Sequence, residues 1–376
     1  MPWRTIYEVC RCFCLADHTS IILSGKQREV KNEWAIGHVR VRDVLKPKSD
    51  SALKKLAHVL KEEDIDILYW PLDWRSPRTD LLQLEITGLR VTWYIPGAWY
   101  GHGQVFKAAA HMRSKAVLPY VAQVLGSRRQ FVKKLTAGGV RPLIVMTDYS
   151  RNKLVENGYP PSACHSIPPG KEKLLILDEP PVVFNEFRND LQGKPYFLFF
   201  GPPQKIRGVA EMLSAFKTVA RQHPDIKLVC LFRSDPGLDA SHWKRMIERM
   251  DCKDRIHCIW TSVGPADLDY FLRNCFAVLK PFLLVPSEIP LAVIETAEYG
   301  KPVIGTGPDG TGKFIGDFGL TVPFASPKKL AQAMLELLSN KELYSEKCRA
   351  AKHVYEGHPT WDEVANRWLK ATQLQT

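Results

Sequence analysis

Cys-x-x-Cys pairs, apolar runs of 18 residues, a charged leader with an apolar core and cleavage site, and repeated or low-complexity tracts are all missing from this 376-residue chain. Without paired cysteines, structural zinc and dithiol redox chemistry have no obvious ligand set. Without the long apolar run or the leader, neither a membrane span nor secretion is expected. Nine cysteines occur, at 10, 12, 14, 164, 230, 252, 258, 275 and 348. Their odd number and loose spacing fit free thiols in a reducing, cytoplasmic setting. The run "CRCFC" (10–14) places three of them two residues apart, which does not gather four ligands around one ion, so no metal is expected there.

What is present bounds the answer further. A chain of this length, 45% hydrophobic and 24% charged, is too long for one core and implies two domains. The formal net charge is +12, and the excess lies in front: 28 basic against 20 acidic residues in 1–190, 24 against 20 in 191–376. Within "HMRSKAVLPYVAQVLGSRRQFVKKL" (111–135) there are six Lys/Arg and no Asp/Glu, interleaved with apolar residues. That basic, amphipathic stretch reads as a solvated helix face, or as a surface for anionic lipid or a phosphate-bearing acceptor. No nucleic-acid-binding motif accompanies the charge, so nucleic acid is not expected as a partner.

From residue 195 onward, short apolar runs alternate with helix-period segments, the pattern of a parallel sheet covered by helices. "PYFLFFG", "IKLVCLF", "RIHCIW", "AVLKPF", "KPVIGT" and "GLTVPF" read as strands. "VAEMLSAFKTVARQH" places Val209, Met212, Leu213, Phe216, Val219 and Ala220 on one helical stripe. The front half alternates less cleanly, with strands at "TSIILSG", "DIDILYW", "LRVTWYIPG", "RPLIVMTD" and "SACHSIPPG". The expected fold class is therefore α/β, with two doubly wound Rossmann-like domains facing a cleft. The boundaries expected are 1–190 and 191–360, with a linker near 178–195 and a last helix, 361–376, that packs back on the first domain. Because the chain opens on the helix-like "WRTIYEVCRCF", the first domain is expected to lack its first strand, or to start upstream of Met1.

Ligands of such sheets bind at the carboxyl ends of the strands, where helix N-termini offer free N–H groups to anions. Three turns qualify. In "FFGPPQKIRGV", Gly201 ends a strand and Lys205 and Arg207 precede a helix, as a diphosphate clamp requires. In "PSEIPLAVIE", Pro290 suits the first helical position, the N–H groups of Leu291 and Ala292 face the cleft, and Glu295 lies one turn further in. In "GTGPDGTGKF", Gly310 belongs to a turn that lets backbone approach a ligand.

Taken in order, Gly201-x(5)-Arg207-Gly208, "VPSEIPLAVIETAEYGKPVIGT", a glycine turn and "GLTVPFASPKKLAQAMLELL" resemble the retaining GT-B glycosyltransferases, glycosyl transferases group 1, a family with many bacterial mannosyl-, glucosyl- and N-acetylglucosaminyltransferases. The front segment "VMTDYSRNKLVENGYPPSACHSIPPG" is similar to the one that closes that family's first domain. The resemblance runs from about residue 6 to residue 372. It implies transfer of a sugar from a nucleotide-diphosphate donor to a glycan, lipid-linked or other acceptor, with retention and without a metal. The cysteines and the basic stretch 111–135 add the expectation of a cytoplasmic protein, either free in solution or peripheral at the inner face of the membrane. Arg207 stands at the family's lysine and Pro202 at its arginine, which leaves Lys205 as the second cation. Of the family's two glutamates, which have seven residues between them, Glu295 matches the one that holds the donor ribose. Strict spacing puts Ser287 at the other, near the transferred sugar, with Glu288 one place later. The family's histidine after "LRVTWY" is absent, and His102 is the nearby candidate, with Tyr94, Trp99 and Tyr100 either against the sugar or in the core. These departures leave a second reading open, a catalytically silent homologue that binds a nucleotide sugar or a partner. A nucleotide-sugar epimerase of related architecture fits the "PSEIPLAVIETAEYGKPV" unit less well.

Overall fold

The computed structural model describes residues 3–24, 33–36, 39–43, 50–72, 74, 88–112, 117–171, 188–191, 193–233, 240–285, 287–307 and 309–373. In chain order the front half runs α1 (Trp3–Leu15), β1 (Ile21–Ser24), β2 (Glu33–Ile36), β3 (Val39–Asp43), α2 (Asp50–Glu62), β4 (Ile67–Pro71), β5 (Arg90–Ile95), α3 (His102–Met112), α4 (Leu118–Leu125), α5 (Arg128–Ala137), β6 (Leu143–Val145), α6 (Asp148–Glu156) and β7 (Cys164–Ser166). The rear half follows with α7 (Arg188–Leu191), β8 (Tyr196–Gly201), α8 (Val209–Gln222), β9 (Lys227–Phe232), α9 (Ser241–Glu248), β10 (Ile256–Ile259), α10 (Pro265–Asn274), β11 (Ala277–Lys280), α11 (Leu291–Glu298), β12 (Val303–Gly307), α12 (Gly310–Gly316), β13 (Leu320–Pro323), α13 (Pro327–Ser339), α14 (Lys341–Gly357) and α15 (Trp361–Gln373).

The rear sheet is wholly parallel, in the order β10-β9-β8-β11-β12-β13. The strand order reverses between β8 and β11, and a crevice forms at such a switch point, outside the strand ends. Its strands are continuous apolar runs because helices cover both faces. The stripe read on α8 is its buried face: Val209, Met212, Leu213, Phe216, Val219 and Ala220 all pack under the sheet.

The front half divides. β4-β5-β6-β7 form one parallel sheet, while β1, β3 and β2 form a small mixed sheet of their own, β1 parallel and β2 antiparallel to β3. Helix α1 joins the two, with Phe13 stacked on Tyr69 of β4 and Val9 in the cluster that holds Tyr94 of β5. The cysteines of "CRCFC" lie on this helix, with Cys12 buried. The last helix, α15, covers the same region. Trp368 sits 4.8 Å from the Tyr94 ring and 5.2 Å from Tyr69, and the Thr372 and Thr92 hydroxyls share a 2.8 Å hydrogen bond. The linker expected over 178–195 lies outside the described residues except for 188–191 and 193–195.

The basic stretch 111–135 is not one helix. Residues 113–116 lie outside the described residues, and beyond them α4 ends at Gly126 and Ser127 caps α5, accepting from the Gln130 N–H at 3.3 Å. A serine cap after a glycine breaks a helix that apolar periodicity alone would continue. The charge falls on α5 and α4 carries none. Among the described residues, no helix is long and apolar enough to cross a membrane.

Between the two halves runs an apolar seam. Phe282, Leu283, Leu284 and Val285, just past β11, are buried against Ala98, Tyr100, Val105, Ala108 and Val117 of the front half. At ~1.5–3 kcal/mol for each fully buried side chain, this wedge outweighs the few hydrogen bonds around it, worth about 1 kcal/mol apiece.

Gly208, with φ +71°, turns the chain into α8, and a Cβ there would collide with the Pro281 carbonyl. Left-handed backbone costs a non-glycine residue about 1–2 kcal/mol before any clash. Gly208→Ala is therefore expected to lower the unfolding free energy by more than that amount, read as a lower urea midpoint, with the segment at Pro281 displaced; an unchanged midpoint contradicts the packing described.

Candidate functional site

At the end of β8 the chain turns through Gly201, φ +131°, and a short 3-10 turn, Lys205–Arg207, before Gly208 starts α8. Leu283 and Leu284 donate their N–H groups to the Ile206 carbonyl at 2.9 and 3.2 Å, which ties this turn to the wedge. The Arg207 guanidinium folds back beside Gly201, whose Cβ, if present, would lie 3.4 Å from Nη1. It also lies 5.9 Å from the centre of the Phe282 ring. Lys205, the expected second cation, is exposed on the outside of the turn.

The cation that shares this crevice with Arg207 is Lys280, the last residue of β11. It is fully buried, its ammonium donating to the Phe200 carbonyl at 2.7 Å and lying 3.4 Å from the centre of the Phe200 ring. Burial pushes its pKa well below the ordinary lysine range, Arg207 pushes it further, and Glu295 pulls it back. A positive side chain inside an apolar run, "FAVLKPFLLV", is the signal that sequence reasoning passed over.

Pro290 is the cap of α11, not its first helical residue: its backbone is extended, with ψ 130°, while its carbonyl accepts from the Val293 N–H at 2.9 Å. The N–H groups of Leu291 and Ala292 have no partner among the described residues, as expected for an uncapped helix start. Glu295, one turn in, keeps 19% of its side chain exposed and faces Arg4 of α1, 3.8 Å from Nη1. Burial raises its pKa, and Arg4 and then Lys280 lower it.

Ser287 and Glu288 point at the front half. The Ser287 hydroxyl lies 3.2 Å from the Ile289 carbonyl and 3.4 Å from the Met146 sulfur. Glu288 has no exposed surface; its N–H donates to the Pro96 carbonyl at 2.8 Å, and its Oε1 accepts from the Ser150 hydroxyl at 2.7 Å. Gly310 leaves room for that carboxyl, since a Cβ there would strike Oε1. Burial pushes the Glu288 pKa up to about 8, the Ser150 and Thr147 hydroxyls work against it, and Asp309 adds to it. Asp309 caps α12 and accepts from Gln104 of the front half at 3.0 Å.

On the front side, Tyr94, Trp99 and Tyr100 are core residues. Tyr94 packs on Trp368, Trp99 lies between Trp74 and Arg128, and the Tyr100 hydroxyl accepts from the Val285 N–H at 2.6 Å. His102 is exposed at the first residue of α3 and bonds nothing among the described residues. A further tie, His111 to Glu211, joins α3 to α8.

Gly201, Arg207, Lys280 and Glu295 thus lie together with Arg4 facing Glu295, Glu288 is held by Ser150 against the start of α12, and Lys205 and His102 are exposed side chains. Such an arrangement, with three basic side chains and free N–H groups, can hold a phosphate-bearing anion, and its carboxylates can accept from hydroxyls. Among the described residues, no cluster of three or more His, Cys, Asp or Glu is arranged to hold a metal ion.

Residues 184–354 match the family model of glycosyl transferases group 1. Spore coat protein SA of Bacillus subtilis (strain 168) is 24% identical over 195 residues, 49% of this chain and 50% of that protein, so the chain spans about half the length of this curated relative. Among solved structures, sucrose-phosphate synthase from Thermosynechococcus elongatus superposes with a TM-score of 0.71 at 14% identity, covering 98% of this chain and 92% of that one. Anabaena HepE in complex with UDP does so with a TM-score of 0.63 at 12% identity, over 89% and 86% of the two chains. The fold is that of the GT-B glycosyltransferases.

Lys280 offers a direct test of the crevice. The unfolded chain holds that proton up to about 10.5, whereas the folded chain releases it at lower pH, so stability rises with pH between those two values. Lys280→Met is expected to be more stable than the parent at neutral pH and to lose that rise, as read by urea denaturation across pH 7 to about 10.5. A parent profile identical to the variant's would show that the ammonium is not buried.

Proposed function

We propose, starting from a chain whose residues 184–354 form a glycosyl transferases group 1 domain on a GT-B frame, that the protein moves a sugar from a nucleotide-diphosphate donor to a glycan or lipid-linked acceptor with retention of configuration. The observation that carries this reading is the convergence of Arg207, Lys280, the free N–H groups of Leu291 and Ala292, and Glu295 at the point where the rear strand order reverses. As the bond from the sugar's anomeric carbon to the diphosphate breaks, the leaving oxygen keeps the electron pair. Preorganised cations and helix-start N–H groups stabilise that charge. On this reading they supply it without a metal, with Arg207 on the diphosphate, Lys280 enclosed behind it and Glu295 accepting from the ribose hydroxyls. Lys205, exposed beside the turn, adds charge on the approach only, and His102 reaches the cleft only by rearrangement of the start of α3. That a relative, HepE, was solved with UDP supports a uridine nucleotide as the first donor to try.

A second reading, a silent binder, is favoured by two observations: Arg4 already faces Glu295, and the carboxyl of Glu288 is enclosed against the front half. Thermal-shift and calorimetric titrations with UDP, GDP and ADP sugars distinguish the cases. At a hundredfold excess over Kd, a donor adds ~2.7 kcal/mol of stability. Arg207→Ala and Glu295→Ala are each expected to remove that gain. Binding followed by slow donor hydrolysis supports the transferase, binding without turnover supports the silent homologue, and no stabilisation by any donor rejects both.

The acceptor is read as one presented at an anionic membrane surface. Leu118 and Leu125, 58% and 71% exposed, share one face of the uncharged α4, and α5 beside it carries Arg129, Lys133 and Lys134 in the open. Apolar insertion flanked by cations is what binds anionic bilayers. Sedimentation with vesicles containing phosphatidylglycerol is expected to carry the protein down at low salt and to fail for Leu118→Asp/Leu125→Asp. Absence of binding at low salt removes the membrane from the reading.

A further inference from the structure

Glu288 belongs to the rear half by sequence, yet most of what organises its carboxyl comes from the front. Pro96, after β5, accepts its N–H at 2.8 Å; Ser150, on the first turn of α6, donates to Oε1 at 2.7 Å; and the hydroxyl of Thr147, which caps α6, lies within reach. From its own half come the Thr311 hydroxyl, 2.5 Å from its backbone carbonyl, and the open space at Gly310. Oε2 is buried without a hydrogen-bond partner among the described residues, and the Tyr94 hydroxyl, within reach of Thr5, feels the Glu288 charge.

Ser150 is itself fully buried, and its position is hard to explain by helix formation. The α6 cap is already made, the Ser150 N–H donating to the Thr147 hydroxyl at 3.1 Å. Its own hydroxyl serves Glu288 alone among the described residues. Nor does stability explain an acid in this seam. A carboxyl with one oxygen unsatisfied costs more to enclose than an amide or an apolar side chain of the same size. Enclosed acids with displaced titration concentrate where chemistry needs them.

We propose that Ser150 is a positioning residue for Glu288: it reaches across the domain seam to fix one carboxyl oxygen, so that the other, Oε2, is aimed at the transferred sugar only while the two halves are closed. The inference rests on the functional reading above, in which this turn receives the sugar. The register offset then has a physical meaning. The acid one place past the motif position is held by a hydroxyl from the facing domain, and Ser287, at the motif position, is turned to Met146. The titratable groups that act on Glu288 are Asp309 from the cap of α12, Tyr94 from β5, Tyr100 from the loop after it, and Tyr149 from α6.

The test compares Ser150→Ala, Ser150→Thr and Glu288→Gln with the parent, in two measurements. The first is kcat and KM for donor hydrolysis or transfer, with the donor found by titration. Ser150→Ala is expected to lower kcat by about tenfold or more, approaching the ~100-fold that a misplacement of an ångström costs, with the donor KM little changed. Ser150→Thr, which keeps the hydroxyl, restores most of it. The second is urea stability against pH. A carboxyl whose folded pKa is raised from 4.5 to about 8 contributes stability that is fully present below about 4.5 and is lost as pH rises to about 8. Removing a donor that favours the charged form carries that loss to higher pH in Ser150→Ala, and Glu288→Gln abolishes it. An active parent whose Ser150→Ala variant matches it in kcat and in the pH profile overturns the positioning role alone. A parent that neither binds nor turns over any donor overturns the functional reading and the positioning role together.

Discussion

Two ionisable side chains, Glu288 in the seam between the halves and Lys280 at the end of β11, have no exposed surface, and the neighbouring architecture makes their burial tolerable. Each is given one good partner and an apolar surround. Lys280 has the Phe200 carbonyl and ring, and Glu288 has Ser150 and the space left by Gly310. The stabilisation that offsets this comes from the wedge Phe282–Val285, which closes the seam with apolar area. The polar groups specify how the halves meet, and the apolar ones make the meeting favourable.

The rear half was largely legible because its local and global signals agree. Strands β8, β9 and β11 are buried on both faces and so read as unbroken apolar runs, and the α8 stripe is the face that packs. The front half was less so. "TSIILSG" reads as a strand but joins a small separate sheet with β3 and β2, a pairing set by chain connections that periodicity does not record. The stretch 111–135 reads as one basic face but is broken at Gly126 and Ser127, so that apolar exposure and charge fall on different helices.

At the site, residue types that bind anions were visible, but their partners were not. Arg207 and Glu295 could be named from motif order, whereas Lys280 hid within a strand and Arg4, Ser150 and Thr147 lie more than a hundred residues from what they touch. Lys205 and His102 were named for proximity in sequence, and both are exposed side chains to which the described residues give no partner that would fix their direction. A turn fixes where the backbone goes, while the tertiary surround fixes which of its side chains look inward.

The return of α15 to the front half carries a mechanical consequence. Just before it, the chain is stitched to the exit of β7: the Lys171 N–H donates to the Pro359 carbonyl at 2.8 Å, Gly170 lies against Trp361, and His358 bonds the Pro169 carbonyl at 2.8 Å. The exit of β7 and the entry to α15 therefore lie side by side, laced by these bonds. Any relative movement of the halves either carries the two segments together as one tether or breaks the lacing.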